Sequence, residues 1–280
     1  MRAPLARRVA TLAAAALTAV TLLVGAAPPA GSDPVWAPAS QATIRPGVQM
    51  VTNGGQCTAN FVFTRGSDVY LGYAAHCAGT GAATDTNGCD AGTLPLGTPV
   101  EIQGASRPGT LAYSSWVAMQ SGPRPAEEVC QYNDFAVVRI HPDDHDKVNP
   151  SIPHWGGPTG LNTSGTAPLE RVFSYGNSSL RLGLELLSPK TGLSLGGSEW
   201  SHPIYTVTPG IPGDSGSAIL DSQGRAVGVL STLGLLPLPL SNNASDLESA
   251  LAYAQSHGMS GLTLALGTEP FRPNQLPLRL

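Results

Sequence analysis

At 280 residues the chain can bury its own core without help from a metal, as one large domain or two small ones. Only 12% of residues are charged and the formal net charge is −4, so no basic surface argues for nucleic acid.

The first thirty residues differ in kind from the rest. Arg2, Arg7 and Arg8 precede an Ala-rich apolar run, Val9 to Leu23, and the small residues Val24-Gly25-Ala26-Ala27 follow. A basic head, an apolar middle and a small-residue exit predict a secretory signal removed near Ala27 or Ala30. An uncleaved anchor would need about the same length, but Pro28, Pro29 and the modest hydrophobicity of alanine oppose it. Every later apolar run is broken by Pro, Gly or polar residues. Export places the four cysteines, Cys57, Cys77, Cys89 and Cys130, where disulfides persist, and three pairings are open. A structural zinc site is the rival, but no two of the cysteines have its two-residue spacing.

From about Gln49 the sequence is a series of short strand-like runs: Thr58–Phe63, Val69–Ala75, Pro99–Gln103, Thr110–Met119 and Asp134–Ile140. Clusters of Gly, Asn, Asp and Pro separate them, a spacing that predicts an all-β barrel or sandwich. Residues 141–169 read as a connection, with the acidic run HPDDHD a solvated loop or a weak metal site. Strand-like runs resume at Arg171–Tyr175, Leu180–Leu187, Ile204–Thr208, Ser217–Leu220 and Ala226–Thr232. One amphipathic helix is predicted near the end. Ser245 to Glu248 match a capping box, Leu247, Ala250, Leu251 and Ala254 recur on one face, and Gly258 stops it. Asn162, Asn177 and Asn243 begin Asn-x-Ser patterns and are read as ordinary loop asparagines.

The chemistry gathers around PGIPGDSGSAI, residues 209–219. A serine hydroxyl is a weak nucleophile until a base takes its proton and a third group orients that base. Of six histidines, His76 alone follows a strand and abuts a cysteine whose bond would fix the backbone beside the imidazole. Asp134 is the best placed acid, because it opens the apolar run FAVVRI, where a hydrogen bond to His is little screened.

Three segments, YAAHC at 73–77, NDFAV at 133–137 and GDSGS at 213–217, resemble the signatures of the chymotrypsin/trypsin-like serine peptidases. Their order, His then Asp then Ser, is that family's order and not that of subtilisins or α/β-hydrolases. The resemblance spans roughly 45–235. It implies two six-stranded antiparallel Greek-key barrels with the active site in the cleft between them, plus the C-terminal helix. The division it gives is a signal at 1–30, an N-terminal segment or short propeptide at 31–45, barrels at 46–145 and 146–242, and a helix and tail at 243–280. It also implies Ser215 as nucleophile, His76 as base and then acid, Asp134 as orienting group, and the amides of Gly213 and Ser215 as oxyanion hole. Cys57 is paired with Cys77 on the same ground, and with it Cys89 with Cys130. Ser231 stands for the substrate-pairing strand, and Pro209 and Leu233 for the pocket. The expectation is a secreted monomer that acts on protein or peptide substrates, with no metal and no cofactor.

Departures from the pattern carry information. Ser217 stands where most of the family has glycine. Pro209 stands where trypsins have an acid, and no acid lies from Ile204 to Gly213, which predicts an uncharged, small or apolar residue before the cleaved bond. All four cysteines precede residue 131, so no disulfide ties the nucleophile loop to the pocket wall, and packing alone is expected to hold it. The N-terminal residues Ile44-Arg45-Pro46-Gly47 match the family's activating segment poorly, so Asp214 is expected to find an arginine or backbone instead. Two other readings compete. One is a non-catalytic binding protein on the same fold, with Leu233–Leu240 or 261–280 covering the cleft or recruiting a partner. The other is a secreted esterase, whose elbow needs glycine where Ser217 stands.

Overall fold

The computed structural model describes residues 34–82, 85–234 and 239–275, all within the compact unit Ser32–Leu280. The expected signal at 1–30 lies outside the described residues, as does most of the run 235–240.

The N-terminal half contributes β1 (Gln49–Thr52), β2 (Gly55–Thr58), β3 (Val62–Arg65), β4 (Asp68–Tyr73), β5 (Pro99–Ile102) and β6 (Gly109–Ser114), then α1 (Ser115–Gln120), α2 (Glu127–Tyr132) and β7 (Ala136–Arg139). The C-terminal half contributes β8 (Pro168–Tyr175), β9 (Pro189–Leu195), β10 (Ser201–Thr206), β11 (Ala218–Leu220), β12 (Ala226–Gly234) and β13 (Ser241–Asp246). They are followed by α3 (Leu247–Ser256) and β14 (Thr263–Leu264). β8 to β13 close into a six-stranded antiparallel barrel in the order β10-β13-β12-β11-β8-β9. The N-terminal strands form an eight-stranded sheet, β14-β3-β4-β7-β6-β5-β1-β2. β2 and β3 are two ends of one bent ribbon: Ala59 N still bonds Val48 O, while Asn60 N already bonds Gly72 O in β4. Counted as one strand they complete six around the N-terminal half, and β14 is an addition from the tail.

Period-two alternation sets what each strand buries, as in β1, where Met50 and Thr52 point inward and Gln49 and Val51 are half-exposed. Central strands β4 and β7 are buried on both faces, while α1 packs on β6 and α3 on β12 and β13. Phe63 meets Phe135 edge to face at 5.4 Å, a pair that contributes about 1 kcal/mol beyond its buried area. Trp155 and Phe173 do the same for the second barrel at 4.9 Å.

Several local expectations are corrected. Leu180–Leu187 is not a strand: it folds as two short 3-10 turns, Ser179–Arg181 and Glu185–Leu187, whose leucines 180, 182, 184 and 186 are exposed. Thr110–Met119 leaves extended structure at Ser115 to form α1. The HPDDHD run is a 3-10 turn rather than a solvated loop, and Asp144 in it is fully buried. That carboxylate accepts from Ser106 N and Oγ, Arg107 N and Lys147 Nζ. Burial resists its ionisation, but the ammonium and the amides outweigh that and bring its pKa down to about 2. Both of its oxygens are thus engaged by protein donors. α3 lies where expected and buries Leu247, Ala250, Leu251 and Ala254. Its cap is Asp246, which accepts from Ser249 N at 2.8 Å, while Ser245 belongs to β13.

The tail crosses from one half to the other. β14 extends β3, Gly157 N bonds Glu269 O, and Phe271 packs edge-on to Phe173 at 5.2 Å. Among the described residues none beyond Asn242 lines the cleft, so this part of the tail does not cover it.

Candidate active site

The two halves are joined through the turn that carries Ser215. Thr58 N donates to Ser215 O at 2.8 Å, and Thr58 Oγ1 and Gln56 Nε2 both donate to Gly213 O, at 2.7 and 2.9 Å. Two glycines make this approach possible. Gly216 has φ +89°, and a Cβ there would lie 2.5 Å from Thr58 O and 3.0 Å from Ala74 N. Gly213 has φ +95°, and a Cβ there would lie 2.5 Å from Gln56 Oε1. Conformation disfavours a side chain at both positions, and at Gly216 the surrounding backbone leaves no space for one either. Ser217, by contrast, is accommodated: its buried hydroxyl turns back to donate to Asp214 O.

Beside Thr58 the disulfide Cys57–Cys77 fixes the short turn Ala75–Ala78 that carries His76. Closing a loop of sequence separation 20 contributes about 3 kcal/mol in the chain-entropy description. The second disulfide joins Cys89 to Cys130, so both pairings are as the resemblance implied. His76 Nδ1 lies 2.6 Å from Asp134 Oδ2, and His76 N donates to Asp134 Oδ1 at 2.8 Å. Asp134 sits between α2 and β7, is 4% exposed, and receives a third, short hydrogen bond from Ser231 Oγ on β12. Its own N–H donates to Ser245 Oγ on β13. Both halves of the molecule thus hold the carboxylate.

The electrostatics follow from this packing. Burial favours neutral Asp134, but the imidazolium charge and the bonds from His76 and Ser231 outweigh it and hold the carboxyl below its usual range. Burial likewise favours neutral His76, and the adjacent carboxylate reverses the sign, raising the imidazole above its ordinary value of 6.5.

His76 and Ser215 line one cleft of about 680 Å³, together with Gln56, Ile211, Leu230 and Asn242. Among the described residues no hydrogen bond joins Ser215 to His76; such bonds in unliganded sites are often long and tighten with substrate. Ser231 and Leu233 line the cleft as expected. Pro209 does not, because its carbonyl turns away to accept from Arg181, and Gly210 and Ile211 take its place. The one acid lining the cleft among the described residues is Asp85, whose Oδ2 accepts from Ala82 N.

The Ser215 turn is not held by packing alone. Fully buried Asp214 accepts from Arg181 at 2.6 Å, Ser178 N at 3.0 Å and Ile211 N at 3.1 Å, and its Oδ2 forms an ion pair with Lys190 Nζ at 3.1 Å. Ser178 Oγ also donates to Pro212 O at 2.5 Å. The arginine partner was expected; the buried lysine was not, although it is one of only two lysines in the chain. Burial pushes Lys190 below its ordinary pKa; Asp214 opposes this and Arg181 adds to it.

A closed barrel, a second antiparallel sheet and a cleft lined by both the histidine of a His-Asp pair and a Ser-bearing turn invite comparison with solved structures. Thermobifida fusca Protease A superposes with a TM-score of 0.52 at 20% identity, over 81% of this chain and 100% of that one. The chain has the chymotrypsin-like serine protease fold. A glutamic acid specific serine protease, which uses a histidine triad in substrate binding, shares that chymotrypsin-like fold at TM-score 0.51 and 15% identity. That comparison covers 79% of this chain and 100% of the other. No protein-family description and no curated protein matches the sequence.

Proposed function

We propose that the protein is an exported serine endopeptidase. The observation that carries this is the buried Asp134 holding Nδ1 of His76 at 2.6 Å, in the cleft that Ser215 also lines. In this reading Ser215 Oγ attacks the scissile carbonyl. His76 Nε2 takes its proton and later returns it to the leaving amine, and Asp134 holds the tautomer and stabilises the imidazolium. The amides of Gly213 and Ser215 stabilise the oxyanion, and the Ser231 strand pairs with substrate backbone. Export is supported by two disulfides; no helix among the described residues is long and apolar enough to cross a membrane.

The residue before the cleaved bond is uncharged and small or apolar. Ile211, Leu230 and Leu233 line the cleft, no lysine or arginine does among the described residues, and the one acid there, Asp85, is engaged by Ala82 N in its own turn. The glutamate preference of the solved relative is not carried over, because His76 is the sole histidine lining this cleft among the described residues.

The pH dependence tests the reading. His76 must be neutral to act as base, and Asp134 raises its pKa, so kcat/KM for a peptide anilide is expected to rise with pH through a midpoint above 6.5. The same raised value means that the charged pair stabilises the fold below the unfolded-state pKa, and that this contribution fades as pH rises through the folded one. A flat profile, or hydrolysis that survives His76→Ala undiminished, counts against it.

A further inference from the structure

We propose that Asn242 is a positioning and specificity-determining residue, a neutral bolt that joins the nucleophile loop to the facing wall of the cleft and sets what side chain fits between them. The inference rests on the peptidase reading. It starts from a problem the sequence poses: with both disulfides spent in the N-terminal half, nothing covalent ties residues 209–213 to β12.

Asn242 supplies the tie. It lies on β13, is 3% exposed, and lines the cleft. Its Oδ1 accepts from Gly210 N at 2.7 Å, and its Nδ2 donates to Gly210 O at 3.2 Å and to Thr232 O at 3.3 Å. One carboxamide therefore grips both backbone groups of Gly210 on one wall and a carbonyl on the other. The β12–β13 register shifts between Leu230 and Thr232, so Ser231 sits on a bulge there and its hydroxyl reaches Asp134. The bolt thus joins β12 one residue from that contact.

The geometry also limits size. A Cβ on Gly210 would lie 2.7 Å from Leu230 Cδ2, and 2.9 and 3.1 Å from Nδ2 and Oδ1 of Asn242. The carboxamide fills the space a side chain at 210 would take, and it closes the gap between the two walls. Both of its N–H bonds are spent on protein carbonyls, so it offers an incoming side chain neither a charge nor a free donor. A ring of Ile211, Leu230 and Leu233 around a satisfied amide suits a small or apolar side chain.

The test uses the full-length secreted protein, Asn242→Ala and Asn242→Asp, with peptide anilides identical except for Ala, Leu, Phe or Lys before the cleaved bond. The ratio of kcat/KM between substrates is the readout, because a common loss cancels in it. With the carboxamide gone, Asn242→Ala should raise the Phe-to-Ala ratio about tenfold, chiefly through KM, as expected for added room in an apolar pocket. Asn242→Asp keeps the volume and an acceptor for Gly210 N, so it serves if the alanine variant does not fold. Its added charge should raise the Lys-to-Ala ratio. Ratios unchanged in the folded variants, or all four substrates falling by one factor, overturn the proposal and leave Asn242 a purely structural residue. A wild type that cleaves none of the four overturns the peptidase reading, and this proposal with it.

Discussion

Asp134→Asn should lower kcat by on the order of 10⁴ while leaving the fold intact. The reason lies in how three donors share two oxygens. The backbone N–H of His76, a donor that cannot reverse, bonds Oδ1, while Nδ1 and the Ser231 hydroxyl bond Oδ2. An asparagine has one acceptor oxygen, and the backbone amide claims it. The NH₂ then faces Nδ1, which must become an acceptor, so the ring proton moves to Nε2 and the base can no longer accept from Ser215. The same change removes the charge that raises His76, so residual activity should rise with pH through a lower midpoint than in the wild type. Steady-state kinetics with a peptide anilide check both points. A loss of less than tenfold would mean that Asp134 does not set the tautomer.

Asp214→Asn should be the costliest polar substitution in the molecule, about 3–5 kcal/mol by the usual measure of a buried pair broken on one side. It leaves two cations, Arg181 at 9% and Lys190 at 1% side-chain exposure, facing a neutral amide. Lys190→Met should cost much less, because Arg181 still neutralises the carboxylate. The lysine adds a pH signature. A buried ammonium held below its ordinary pKa penalises the folded state while it is charged, so its contribution to stability rises as pH climbs through the folded value towards 10.5. Relative to Lys190→Met, the wild type should therefore gain stability with pH over that interval. Urea unfolding at several pH values measures this. If Asp214→Asn is no more destabilised than Lys190→Met, the carboxylate is not the anchor of the Ser215 turn.

The residues that carry the proposed chemistry were legible because each lies in a local, chemically constrained segment. His76 is stapled by Cys77, Asp134 is set before an apolar strand, and Ser215 is wedged between glycines that the neighbouring half demands. The C-terminal helix was legible from its apolar spacing. β13 was not: SNNASD has no apolar alternation, since Asn242, Ser245 and Asp246 are buried polar residues satisfied by specific partners. The opposite error arose at 180–187, where an apolar run finds no ladder partner and instead bends through Leu182 at φ +54°. Lys190 and Asn242 were missed for a common reason. Each acts at a residue more than twenty positions away, through contacts that only the closed barrel creates.

The central claim is that Ser215 is made nucleophilic by His76, and covalent labelling reads it most directly. Incubated with a fluorophosphonate probe and mapped by mass spectrometry, the wild-type protein should carry the phosphonyl group on Ser215, with none on Ser215→Ala and far slower labelling of His76→Ala. A folded wild type that remains unlabelled, or one labelled at a different residue, would contradict the account.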